Sequence, residues 1–310
     1  MATELNKWQK ELERLSERKY KEVDSQLFNT YKDALKEIKQ RLQMYANAYE
    51  QLSFSKRLEV ERLFNVAKEM DNILTTAGEK VEDIIKEYST DQAIQGYNGV
   101  WYQLEQSENI TMGMPVINHD YIATIVNKPV AGKTLSKRLY QNRKKLAKVT
   151  SDAIITGMLN GEGYKVIAKR ISDLTEASYK QALRIATTEA GRVQSITTQK
   201  GYEESEKLGI KMEKVWLATL DRKTRHDHRK LDGQTVGINE KFKVPDFDYY
   251  ADGPRLFGIA REDINCRCTT IVKVNDILPE LRKDNVYKDY VPFMSYEEWS
   301  NSMWGARSAE

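Results

Sequence analysis

Two pairs of donor side chains stand close together near the C-terminal end of the chain: His226 and His228 about one aspartate, then Cys266 and Cys268 about one arginine. Imidazole nitrogen and thiolate sulfur are the donors Zn²⁺ takes in tetrahedral sites, and the two pairs together could supply four. The whole chain has three histidines and two cysteines, so this stretch concentrates its soft donors. Cysteines separated by a single residue make a poor structural disulfide, and free thiols are expected. A catalytic zinc would need an open position beside a general base. Neither His-Glu-x-x-His nor His-x-Glu with Cys-x-x-Cys is present. Two readings therefore stay open, a structural zinc and a metal-free hydrogen-bonded cluster. Around the donors, Asp221, Thr224, Arg225, Asp232 and Gly233 have the types that build long loops. Asp and Thr bond nearby backbone N–H groups, Arg225 is expected to pair a carboxylate, and Gly233 permits positive φ.

The elements that must position these residues begin with a long amphipathic helix. Apolar residues recur in steps of three and four from Leu5 to Tyr49, through Leu27, Ile38 and Leu42, between dense charges. A second helical pattern covers about Phe54 to Tyr88, and a turn near Leu52-Ser53 would fold the two into a hairpin. Gly96, Gly99, Gly113, Pro115, Pro129 and Gly132 then break the periodicity, predicting an irregular connection. Within it, Gly132-Lys-Thr lacks the first glycine of a phosphate-binding loop, since position 127 is Asn. Helical spacing resumes at Thr134, stops at Gly161-Glu-Gly163, and resumes in a short helix through Ile171. Asp173-Leu-Thr-Glu176 fits the N-terminal cap of another helix running towards Leu208. Lys214–Thr219 and Cys268–Lys273 read as strands separated by turn signals. After Pro279 the tail is expected to be helical, with Ser295 and Glu298 forming a capping box.

The fold class read from these patterns is mainly α with a small α+β C-terminal module: a long N-terminal helical hairpin, a central helix bundle and two or more short strands. The boundaries are a helical arm at 1–90, an irregular connection at 91–133, a helical body at 134–210, the α+β module with the His/Cys cluster at 211–275, and a tail at 276–310. Charged residues make up 31% of the chain and no long apolar run occurs, so no membrane span or secretory leader is expected. The net charge of +3 is small, and local basic runs matter more. The densest holds Lys137, Arg138, Arg143, Lys144, Lys145 and Lys148, a candidate nucleic-acid contact.

A strand carrying Trp216, then Asp221, Thr224-Arg225, His228, Leu231-Asp232-Gly233 and a closing Asn265-Cys266-Arg267-Cys268 resembles the C-terminal signature of the phage head morphogenesis family, the minor head proteins of tailed bacteriophages. Upstream, Thr187-Thr188-Glu189 is similar to that family's helix ending in Arg-Thr-Glu, with Thr187 in place of Arg. The resemblance covers roughly residues 135–300. Carried over residue by residue, it implies His228, Cys266 and Cys268 as metal-ligand candidates, with Asp263 or His226 completing four, and at most one structural zinc as cofactor.

It further implies a minor capsid protein that associates with the phage portal and with capsid or scaffold components and could contact phage DNA. The expected location is the head interior near the portal, after assembly in the host cytoplasm. No catalytic residues and no enzymatic role are expected. The rival class is a metal-dependent nuclease or toxin-like hydrolase built on His226, His228, Asp221 and Asp232. A plain DNA-binding module working through the basic helix is the third.

Overall fold

The computed structural model describes residues 2–50, 60–108, 115–129, 133–160, 162–274 and 278–304. Helices dominate. α1 runs Ala2–Glu50, α2 Val60–Glu108, α3 His119–Val126, α4 Leu135–Leu159 and α5 Tyr164–Lys207. The remaining elements are short: β1 (Met212–Leu217), α6 (His226–Leu231), β2 (Thr235–Gly237), β3 (Phe242–Lys243), β4 (Tyr250–Ala251), α7 (Ala260–Asp263), β5 (Thr269–Val274), β6 (Leu281–Asp284), β7 (Asp289–Pro292) and α8 (Tyr296–Trp304). A mainly α protein with a small α+β module is what the chain forms. The expected turn at Leu52-Ser53 lies outside the described residues.

The chain divides into two compact units, residues 19–87 with 132–186, and residues 1–18 with 88–131 and 187–310. The first is helical and held by apolar seams. Along α1, Val23, Leu27, Tyr31, Ala34, Ile38 and Leu42 are buried, and along α2, Val66, Met70, Leu74, Ala77, Val81 and Ile85. These positions repeat every three or four residues and so lie on one face of each helix. α4 ties its neighbours together. Asn142 Nδ2 donates to Tyr31 Oη at 3.3 Å and to the Ser178 carbonyl at 3.2 Å, while Ser136 Oγ donates to Glu82 at 2.6 Å.

Two departures from the sequence reading lie in the long helices. Residues 91–108, expected in the irregular connection, continue α2 as regular helix. Gly96 is there for proximity rather than flexibility: a Cβ would lie 2.6 Å from the Gln194 carbonyl of α5 and 2.7 Å from Thr197 Oγ1. The Gly96 carbonyl accepts from Thr198 Oγ1 at 3.2 Å. The other departure is α5, one unbroken helix in which Asp173-Leu-Thr-Glu176 is interior. Thr175 Oγ1 bonds back to the Ile171 carbonyl at 2.8 Å instead of capping a new start.

The β elements form a three-stranded antiparallel sheet in the order β2–β1–β5, with Trp216 opposite Thr270, and two small hairpins, β3–β4 and β6–β7. The β6–β7 hairpin corrects the expectation that the tail turns helical directly after Pro279. The capping box beyond it forms as expected: Glu298 Oε2 accepts the Ser295 N–H at 2.7 Å, and Ser295 Oγ accepts the Glu298 N–H at 3.2 Å. Beneath the sheet, Trp216, Ala218, Leu220, Leu231, Phe242, Val244, Tyr296 and Trp299 form a core that also takes in Cys266 and Cys268.

Candidate functional site

His228 lies on α6, a helix of less than two turns entered from Arg225, and its side chain is 2% exposed. Cys266 and Cys268 precede β5 and are buried free thiols. Nδ1 of His228 stands 3.5 Å from Cys266 Sγ and 3.4 Å from Cys268 Sγ. These three donor atoms lie within 4.8 Å of one another. The imidazole is packed edge-on to Trp216, with ring centroids 5.7 Å apart, and tilted against Phe257 at 6.3 Å. Its far nitrogen, Nε2, is 3.1 Å from Glu262 Oε2, and Arg261 Nε holds the other carboxylate oxygen at 2.7 Å. Burial raises the Cys266 thiol, but hydrogen bonds from Cys268 and His228 and the charge of Arg255 take it well below the usual thiol range. Its bond to Cys266 and its own burial hold Cys268 well above that range.

The structure does not bring the two proposed fourth ligands into this group. His226 faces solvent, with a side chain 71% exposed, 3.5 Å from Asp227. Together with Asp227 and Asp246 it forms a separate exposed cluster. Asp263 is buried but serves its own loop, Oδ1 accepting the Phe257 N–H at 3.0 Å. Burial raises its pKa, partly offset by backbone hydrogen bonds.

The loop residues form a second, purely structural network. Asp232 follows α6 and accepts four bonds: from Arg282 Nη2 at 2.6 Å and the Ala218 N–H at 2.7 Å on Oδ1, and from the Tyr296 N–H at 2.6 Å and Arg282 Nη1 at 2.8 Å on Oδ2. Asp221 accepts Lys223 N–H at 2.8 Å and Thr224 Oγ1 at 3.1 Å, and pairs Arg267 Nη1 at 2.5 Å. Both carboxylates are thus paired with arginines within the loop network. Among the described residues Arg225 pairs no carboxylate, contrary to expectation. It donates to the carbonyls of Ile264 at 2.5 Å and Glu262 at 3.4 Å, stitching α6 to α7. Gly233 takes the expected positive φ, 78°.

Several contributors escaped the sequence reading. Glu262 was not singled out, although an acidic residue four before Cys266 was visible. Arg255, itself at φ 67°, donates to the Cys266 carbonyl at 2.8 Å and to Ser195 Oγ at 3.3 Å. It fits because Gly191 in α5 leaves room: a Cβ there would stand 2.6 Å from the Arg255 Nε. Thr188 Oγ1 accepts the Asn265 N–H at 2.9 Å, so the helical Thr-Glu motif and the Asn-Cys-Arg-Cys motif meet in space. Glu189 pairs Arg192 at 3.3 Å inside the protein, and burial pulls that guanidinium down to about 10.

On α4 the basic run separates by role. Lys137, Lys144, Lys145 and Lys148 are exposed, whereas Arg138 and Arg143 are half-buried. Arg143 lies against Gly78 of α2, where a Cβ would meet its Cδ at 2.8 Å.

Fold and site define a helical protein that carries a compact α+β module closed by a buried Cys-His-Cys cluster and two carboxylate–arginine networks. Residues 148–271 match the family described as Phage Mu protein F like protein. The chain is 28% identical over 297 residues to minor head protein GP7 of Bacillus phage SPP1, covering 94% of this chain and 96% of that one. Over these residues the chain is similar to the phage head morphogenesis family. It is also 58% identical over 297 residues, 96% of its length, to a protein of Enterococcus faecalis named NAD(+)–arginine ADP-ribosyltransferase EFV, and spans 61% of that relative. An uncharacterised Haemophilus influenzae protein is 24% identical over 72% of this chain and 46% of its own. No solved structure matches the chain at a significant level. The relationship to a named transferase overturns the expectation that no enzymatic role is involved.

Proposed function

We propose that the chain is a minor head protein that joins the growing phage head at the portal and resides in the virion. The observation carrying this reading is the match to the SPP1 minor head protein across nearly the full length of both chains. The two units suit such a role for different reasons. The helical unit offers long, charged outer faces, and the α+β module is fixed by buried polar contacts rather than by loop length. The exposed lysines of α4, Lys137, Lys144, Lys145 and Lys148, are placed by this reading as contacts for packaged DNA or for an acidic protein face. Among the described residues no helix is long and apolar enough to cross a membrane. The test is co-expression of the full chain with the portal protein of the same phage. Co-migration with the portal oligomer on size exclusion supports the reading, and separate elution overturns the portal contact.

A second reading is favoured by the 58% identity to the Enterococcus faecalis protein named for arginine ADP-ribosyl transfer. Under it, this chain takes part in transfer from NAD⁺ to an arginine side chain. Because the chain spans 61% of that relative, the assay needs the chain as given. The chain is incubated with labelled NAD⁺ and an arginine-rich acceptor, and label on the acceptor supports this reading. An unlabelled acceptor, with the relative active in the same assay, removes it.

A further inference from the structure

The Cys-His-Cys cluster has the geometry of three corners of a metal site. In tetrahedral zinc coordination, with Zn–S near ~2.3 Å and Zn–N near ~2.0–2.1 Å, each S···N edge spans about 3.6 Å. The two S···N edges here are 3.5 and 3.4 Å, and the three donor atoms lie within 4.8 Å of one another. Glu262 is a buried carboxylate that accepts from Arg261 on Oε1 and stands 3.1 Å from His228 Nε2 on Oε2. With Nε2 facing this carboxylate, Nδ1 is the ring nitrogen that faces both sulfurs. A lone pair shared between two thiols is an indifferent hydrogen-bond acceptor, whereas one cation at the common point satisfies all three donors. A carboxylate behind the imidazole is the usual support of a zinc-bound histidine. Charge also balances, since two thiolates neutralise a divalent ion and Arg261 neutralises Glu262.

We propose that His228 Nδ1, Cys266 Sγ and Cys268 Sγ bind one Zn²⁺ ion, that Glu262 orients the imidazole, and that a solvent oxygen takes the fourth place. His226 and Asp263 are not ligands. The ion joins α6 to the segment leading into β5, two parts of the module separated by the long loop, beside the Arg225 bonds to α7 and the Arg267–Asp221 pair. The proposal is independent of the head-assembly reading, because a structural ion serves the fold under either function.

The test uses the full chain purified without added metal. Elemental analysis is expected to give about one zinc per chain. After chelation and Co²⁺ replacement, a thiolate-to-cobalt charge-transfer band in the near ultraviolet is expected together with the visible bands of tetrahedral cobalt. Cys266→Ser and Cys268→Ser should each weaken the charge-transfer band, and His226→Ala and Asp263→Asn should leave it unchanged. Glu262→Gln should keep the stoichiometry and lower zinc affinity about 10–100-fold. A wild-type chain that is folded, metal-free and without the cobalt band overturns the proposal, and this arm needs no variant to fold. A band lost in Asp263→Asn but retained in Cys268→Ser would overturn the assigned ligands.

Discussion

The helical unit and the α+β module solve the same problem with different chemistry. In residues 19–87 and 132–186 the interior is a row of aliphatic side chains on a few long helices, and the polar contacts, such as Asn142 to Tyr31, are accessories. In the module a modest apolar core around Trp216 and Trp299 is crossed by buried charges: Asp232 with Arg282, Glu262 with His228, and Asp284 with Trp299 Nε1 at 2.9 Å. A seam tolerates exchange of one aliphatic residue for another, because its attraction is non-directional. A buried ion pair does not, because removing one partner strands the other.

The contrast is broken most severely at Asp232. Asp232→Ala leaves Arg282 buried and two backbone N–H groups without their acceptor, and is expected to cost about 3–5 kcal/mol in urea unfolding. Asp232→Leu combined with Arg282→Met should recover part of that loss, since a buried pair replaced by apolar groups costs far less than one broken. No recovery would mean that the backbone bonds of Asp232, rather than its charge, hold the loop.

Next in size is Leu27→Ala in the α1 seam, expected at about 2–5 kcal/mol with the cavity it leaves. Leu27→Met should cost below about 1.5 kcal/mol by the same measurement. A large penalty for both would show the seam to be as specific as the module.

Gly96→Ala adds a Cβ within 2.6 Å of the α5 backbone and should lower stability by about 1–3 kcal/mol, a packing effect that Gly209→Ala, with open space around it, would not share. Gly209 does have φ 90°, so its own cost is backbone strain and is expected to be smaller.

The last contrast is a pH dependence. Lys214 is buried on β1, its Nζ donating to Gln199 at 3.0 Å and to the Asp252 carbonyl at 3.0 Å, and burial lowers its pKa to about 8. An unfolded lysine titrates near about 10.4, so between these values the unfolded chain binds more protons than the folded one. Stability from this group therefore rises from pH 8 towards 10. Lys214→Met removes the effect, and wild type should gain on the variant over that window in chemical unfolding. A constant difference would show that the amine titrates normally.

What could be read in advance follows the same divide. The helices were legible because periodicity is local, and the α1 seam falls on the positions expected for Val23, Leu27, Tyr31, Ile38 and Leu42. The extension of α2 past Gly96 was not legible, because the glycine answers to Gln194 and Thr197 on another helix. α5 was divided wrongly for a similar reason. Asp173 and Glu176 have the types of a cap, and nothing local reveals that the helix is already running. In the module, the family resemblance singled out His228, Cys266 and Cys268, which the structure brings together. The resemblance could not choose Glu262 over Asp263, since adjacent carboxylates differ only in where a short helix aims them.

The most direct test of the account is whether the chain enters phage heads. The full chain is co-expressed with the capsid, scaffold and portal proteins of its phage, and the purified heads are analysed by quantitative mass spectrometry. The account predicts the wild-type chain in the heads at a copy number well below that of the major capsid protein. Heads that form normally and exclude a folded, abundant chain would contradict it.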